Sequence, residues 1–179
     1  MATPPDFSSG QVLTSSAMNS VGLWLVKTQT VGTAEASVTV SNAFSADYDN
    51  YLILMSGGTV STDASIGITI GGAVNNYYGF MSYGDATTNT IQGVGRNNSA
   101  LLNWVGGGTT GQAVHARVEV MNPFKASYTK FANGSYQNGN AYGTMQGEHR
   151  VATSYTAFSL TPDSGTITGG TIRVYGYRN

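Results

Sequence analysis

From Gly22 onward the sequence alternates polar and apolar residues in short runs, and this period of two constrains the fold more than any other feature. In AEASVTV, Ala34, Ala36, Val38 and Val40 fall on one side and Glu35, Ser37 and Thr39 on the other. That is the pattern of a strand with one wet face. AVHARVEV repeats it with Val114, Ala116, Val118 and Val120, and SIGITIG gathers Ile66, Ile68 and Ile70. The final TIRVYGYRN sets Ile172 and Val174 against Arg173, Tyr175 and Tyr177. Only NYLILMS is apolar on both faces, which suits a central strand covered on each side. Breaks rich in Gly and Asn separate these runs: Gly57-Gly58, Gly71-Gly72, Asn97-Asn98, Gly106-Gly107-Gly108, Asn133-Gly134, Asn138-Gly139, Pro162-Asp163-Ser164-Gly165 and Gly169-Gly170. Such residues supply the positive φ that tight turns require. About eight to ten short strands with turns at this spacing predict an all-β fold, an antiparallel β-sandwich of jelly-roll type.

A chain of 179 residues can bury a sizeable core without a metal or a disulfide, and it has no Cys. Only 9% of residues are charged and the net charge is −1, so there is no basic stripe of the kind that binds a phosphate backbone. Nucleic acid is therefore not an expected partner. The longest apolar runs, LWLV at 23–26 and YLILM at 51–55, are far shorter than the roughly 18 residues of a membrane span, so no membrane insertion is expected. MATPPDF lacks the cationic start and apolar centre of a signal peptide, which predicts folding in a cytoplasm.

The first 22 residues break the pattern. Pro4-Pro5 starts the chain extended, and Thr14 or Ser15 can cap a short helical turn that ends at Gly22. Two helical turns are not stable alone. Residues 1–22 are thus expected to form an anchor peptide, separate from a β-domain over 23–179, whose apolar side chains need shelter in that domain or in another protein.

Residues capable of chemistry are few. His115 falls on the wet side of its strand with Arg117 and Glu119, and Glu148 and His149 point to opposite faces as strand neighbours. Two separated His and no Cys leave zinc without a ligand set. Asp47, Asp49 and Asn50 lack the glycine and closing glutamate of a calcium loop and are expected to cap a turn. GxSxG is absent, and neither GVGRNN nor VGGGTTGQ completes a phosphate-binding loop. The expectation is a protein without catalytic residues, cofactor or metal. Eleven Tyr set among Gly, Ser, Thr and Asn suit a contact surface, since Tyr gives area at low entropic cost. Tyr77, Tyr78, Tyr136, Tyr142 and Tyr177 are the candidates for glycan or subunit contacts.

Phe7 to Asn19, FSSGQVLTSSAMN, resembles the short N-terminal peptide of many tail-fibre-like and other minor virion proteins of tailed bacteriophages. Leu160 to Asn179, LTPDSGTITGGTIRVYGYRN, is similar to the C-terminal strands of small β-domains in phage structural proteins. The resemblance implies a non-enzymatic virion protein of fibre or attachment type, commonly a homotrimer, docked on other virion subunits through its N-terminal peptide. Phe7, Val12, Leu13 and Met18 become the anchor residues, with Gly10 allowing the bend between them. Two alternatives accompany it: a capsid decoration or head-fibre protein that stabilises the shell, and a module that recognises a host surface glycan.

Overall fold

The computed structural model describes residues 9, 10, 12 and 22–177, and among them it is entirely β, with every strand pair antiparallel. The helical turn expected before Gly22, and the anchor residues Phe7, Leu13 and Met18, lie outside the described residues. Eight strands build two quartets. The front quartet pairs β1 (Leu23–Thr30), β13 (Thr171–Tyr177), β3 (Asn50–Val60) and β8 (Ala113–Met121) in that order. The back quartet pairs β2 (Val38–Val40), β11 (Phe158–Pro162), β4 (Ala64–Ile70) and β7 (Leu102–Gly108). The chain passes repeatedly between front and back, which is the jelly-roll arrangement.

Four further strands extend the front sheet. The hairpin β5 (Tyr77–Asp85) and β6 (Thr90–Ser99) lies in sequence between β4 and β7. The hairpin β9 (Thr129–Asn138) and β10 (Ala141–His149) lies between β8 and β11. The two pair through β10 and β5, so that the front sheet continues past β8 as β9, β10, β5 and β6. A two-residue strand, β12 (Ile167–Thr168), adds to the end of β3.

The alternation read from the sequence places the core. Val114, Ala116, Val118 and Val120 of β8 are buried, as are Ile172 and Val174 of β13. Ile66, Ile68 and Ile70 of β4 are wholly inaccessible, and each such side chain stabilises the fold by about 1.5–3 kcal/mol relative to exposure. NYLILMS is expected to be covered on both faces; β3 is central, with β13 on one side and β8 on the other, but the core covers only its inward face, Tyr51, Ile53 and Met55, while Leu52 and Leu54 lie on the outer face. Phe131 and Met145 carry the core under the extension.

The described strands number thirteen, against an expected eight to ten, because β5, β6, β9 and β10 carry little alternation and β12 is two residues long, while several of the glycine and asparagine breaks are not turns. Gly57-Gly58 lies inside β3, where the pairing with β8 shifts between Ser56 and Thr59. Asn97-Asn98 lies in β6, Asn133-Gly134 in β9, and all three of Gly106-Gly107-Gly108 in β7. Asn98 and Asn133 have φ of 53° and 54°, and the registers of both hairpins shift beside them. These are bulges, in which a single left-handed residue keeps the strand going. Conversely, AEASVTV is strand only at Val38–Val40, because Ala34 takes φ 56° and Glu35 makes one isolated bridge to Ile167.

Candidate functional site

The outer face of the front sheet is a broad surface with two chemically different halves, and residues directly paired across strands share it. On the jelly-roll half, the rows run Leu23–Tyr177–Asn50–Met121, then Leu25–Tyr175–Leu52–Glu119, then Thr28–Arg173–Leu54–Arg117. Leu23 and Leu25 are 46% and 56% exposed on the edge strand, beside half-buried Tyr175 and Tyr177. The result is an apolar band across β1, β13 and β3, bordered on β8 by the Arg117–Glu119 ion pair at 3.5 Å. A depression of about 200 Å³ opens among Asn50, Glu119, Met121 and Tyr177. Burial and the nearby Glu119 carboxylate hold the Tyr177 phenol above its ordinary pKa, so it remains a neutral contact group.

On the extension the rows run Gln146–Phe80–Gly95, Thr144–Ser82–Gly93 and Tyr142–Gly84–Ile91. No charged residue stands in any of them. Phe80 is 57% exposed, Tyr142 49% and Ile91 88%. The Phe80 ring reaches across to β6, where its far end overlies Gly93: a methyl group added there would come within 2.5 Å of Cζ. At the far end a depression of about 320 Å³ is lined by Tyr142, Ile91, Asp85, Ala86 and Asn89 among others.

Charge collects at the opposite end of this shelf. Glu148 accepts from Lys130 Nζ at 3.1 Å and from Arg150 Nε at 2.6 Å, and these bonds hold its carboxyl below the usual range. The Arg150 guanidinium lies 3.9 Å from the centre of the Tyr78 ring. His149 turns inward, as strand alternation requires, and is wholly buried against Tyr77 and Tyr155. Its Nε2 lies 3.1 Å from the Asn75 carbonyl and its Nδ1 3.2 Å from the Tyr155 hydroxyl.

The five candidate tyrosines therefore separate. Tyr142 and Tyr177 open on the outer face, and Tyr78 lies there beneath Arg150. Tyr77 must be corrected, since it is a core residue that no ligand or subunit reaches. It is completely buried, and its hydroxyl accepts from the Ile70 N–H at 2.8 Å. Tyr136 faces inward, partly buried against the core. Of the anchor candidates, Gly10 has φ 87° and Val12 is 82% exposed. Phe80 escaped the sequence reading because a single Phe in YYGFMSYGD carries no sign of which face it takes. Gly93 and Gly95, two residues apart in TIQGVGRNNS, were the available signal of a strand face without side chains.

Asp47 and Asp49 do cap and tie loops. Ser45 Oγ donates to Asp47 at 2.9 Å, and Lys125 Nζ pairs with Asp49 at 2.6 Å. Among the described residues no three His, Asp or Glu side chains converge in a way that would hold a metal ion.

No family model and no curated protein matches the chain. Among solved structures, it is similar to the tripod from the baseplate of bacteriophage Tuc2009, at 13% identity and a TM-score of 0.27, over all of this chain and 76% of that one. It is also similar to the CBM22-1–GH10 modules of the Clostridium thermocellum endo-1,4-β-D-xylanase 10B complexed with xylohexaose, at 9% identity and a TM-score of 0.24, over 88% of this chain and 25% of that one. The infectious bursal disease virus VP2 subviral particle follows at 9% identity and a TM-score of 0.14, over 85% and 41% of the two chains. Likenesses this remote say nothing about what this chain binds.

Proposed function

We propose that the chain is a non-enzymatic structural protein of a tailed-phage particle, of fibre or attachment type. Residues 1–22 dock it on other virion subunits, and the β-domain assembles with copies of itself as a homotrimer and stays exposed. The observation that carries this reading is the apolar band of exposed Leu23 and Leu25 with half-buried Leu54, Tyr175 and Tyr177 around the buried Leu52, a surface suited to burial in an assembly. It adjoins the point where the N-terminal peptide enters β1. The resemblance of Phe7–Asn19 and Leu160–Asn179 to phage virion proteins supplies the kind of assembly. A non-catalytic role fits the outer carboxylates, since Glu119 and Glu148 both hold ion pairs.

Deletion of residues 1–21 tests the reading. The truncated domain is expected to melt as a single transition near the full-length temperature and to be missing from assembled particles. Unfolding of the truncated chain would make the peptide part of the core, and normal incorporation would remove its docking role. Imaging of the labelled protein on particles separates tail or collar placement from the capsid lattice, the latter being the mark of a decoration protein.

A further inference from the structure

We infer that the extension β9–β10–β5–β6 carries a binding site for a neutral saccharide chain, with Phe80 as its stacking platform. This deepens the attachment reading above by naming the chemistry of the surface to be recognised, and it rests on that reading only for its biological setting.

Three features of the shelf converge on this ligand. The first is the ring itself. Phe80 is exposed by more than half, and the sheet is shaped to receive its ring. Gly93 and Gly95 sit across from β5 on the Phe80 side, so the ring lies over bare backbone rather than against a neighbouring side chain. One surface of the ring is thereby supported while much of it stays open to solvent. A supported, open aromatic surface suits the C–H face of a sugar ring, which stacks on it without needing a closed pocket.

The second feature is the surroundings. Gln146 stands directly opposite Phe80 on β10, with Thr144 and Ser82 one row further, and all three are exposed. They offer an amide and two hydroxyls, groups that both donate and accept, which is what a polyhydroxylated ligand requires. Charge complementarity settles the class. An acidic polysaccharide or a phosphate-rich ligand would call for cations along the shelf, and those of the extension are engaged elsewhere: Lys130 and Arg150 by Glu148 at its edge, and Arg96 of β6 by Asn103 and the Trp104 ring.

The third feature is extent. Phe80 and the row of Tyr142 are four residues apart along the strand direction, about 13 Å at strand rise. The depression of about 320 Å³ beside Tyr142 and Ile91 terminates that path. A platform, a polar track and an end pocket together suit several sugar units in an extended chain. A second copy of this chain is a poorer occupant, because the apolar residues here are dispersed among Gly, Ser, Thr and Gln. The continuous apolar band lies on the other half of the sheet.

The test uses the purified full-length protein on a printed array of neutral oligosaccharides, including glucans, xylans and galactans, beside sialylated and sulfated ones. Binding is expected to a subset of the neutral glycans. Phe80→Ala should weaken it about tenfold or more, the loss of one stacked aromatic. Phe80→Trp should retain it, which separates loss of the platform from loss of the fold. Gly93→Ala is expected to weaken binding while keeping Phe80, because the new methyl displaces the ring. Val74→Ser, at an exposed position in the loop between β4 and β5 and outside both halves of the sheet face, should leave binding unchanged. Silence across the array, preference for acidic glycans, or equal binding by Phe80→Ala would each overturn the inference. So would a Phe80→Ala protein whose mass in solution falls to that of a single chain, since the shelf would then be a subunit contact. Particle incorporation is a separate readout, so failure here and failure of the docking reading are distinguishable.

Discussion

Tyr77 and Tyr78 are identical in chemistry, and the pleat of β5 sends one into the core and the other to the outer face. Burial raises the Tyr77 phenol far above its ordinary pKa, and its ring packs 4.5 Å from His149, centre to centre. Burial acts in the opposite sense on the histidine, depressing its pKa below the ordinary value of about 6.5, only partly opposed by the bond to Asn75. The unfolded chain therefore binds a proton in a range where the folded chain does not. Stability is full above about pH 6.5 and declines as pH falls below it. His149→Gln should flatten this dependence in thermal melts taken between about pH 5 and pH 7.5. His115 is shifted in the same direction by burial, so a residual slope that disappears in a double variant with His115→Gln is also expected. An unchanged slope in the double variant would show that neither imidazole is held neutral by the fold.

Among the elements, the meeting of the β3 bulge with the β12–β13 turn brings four positive-φ glycines together. Gly57, Gly58, Gly169 and Gly170 all have positive φ, and a side chain at Gly58 would strike the Gly169 carbonyl. One at Gly170 would come within 2.5 Å of the Gly57 carbonyl oxygen. The obstacle is backbone on both sides and cannot rotate away. Gly170→Ala should cost about 1–3 kcal/mol from φ alone and more from the clash, read as a lower urea midpoint with an unchanged m-value. Gly72→Ala is the matched control, with φ 74° and open space around it, and should lose less. Equal losses would mean that the close approach contributes nothing. The sequence marks both Gly-Gly pairs as irregular, but a turn and a bulge make the same local demand for positive φ. Which of the two forms depends on whether a partner strand lies beyond it.

At the scale of the molecule, the proposed assembly rests on the apolar band. Leu25→Asp should shift the mass in solution from three copies of the 18.7 kDa chain to one, with the unfolding free energy changed by no more than about 0.5 kcal/mol because the side chain is exposed. A wild-type protein that is itself monomeric would refute self-assembly through this face. The alternation in β4, β8 and β13 made the jelly-roll core readable in advance, since a side-chain period of two decides which residues can share a buried face. Short runs such as TIQGVGRNNS lack that contrast, and β5, β6, β9 and β10 were correspondingly obscure. The amino-acid sequence alone determined the all-β class and the inward residues of the regular strands, because both follow from local periodicity. Only the tertiary structure decided that the hairpins 77–99 and 129–149 lie side by side, that Tyr77 is core, and that Phe80 rests on Gly93. Those outcomes depend on hydrogen bonds between segments far apart in the chain, and no local pattern encodes which distant strand completes the pair.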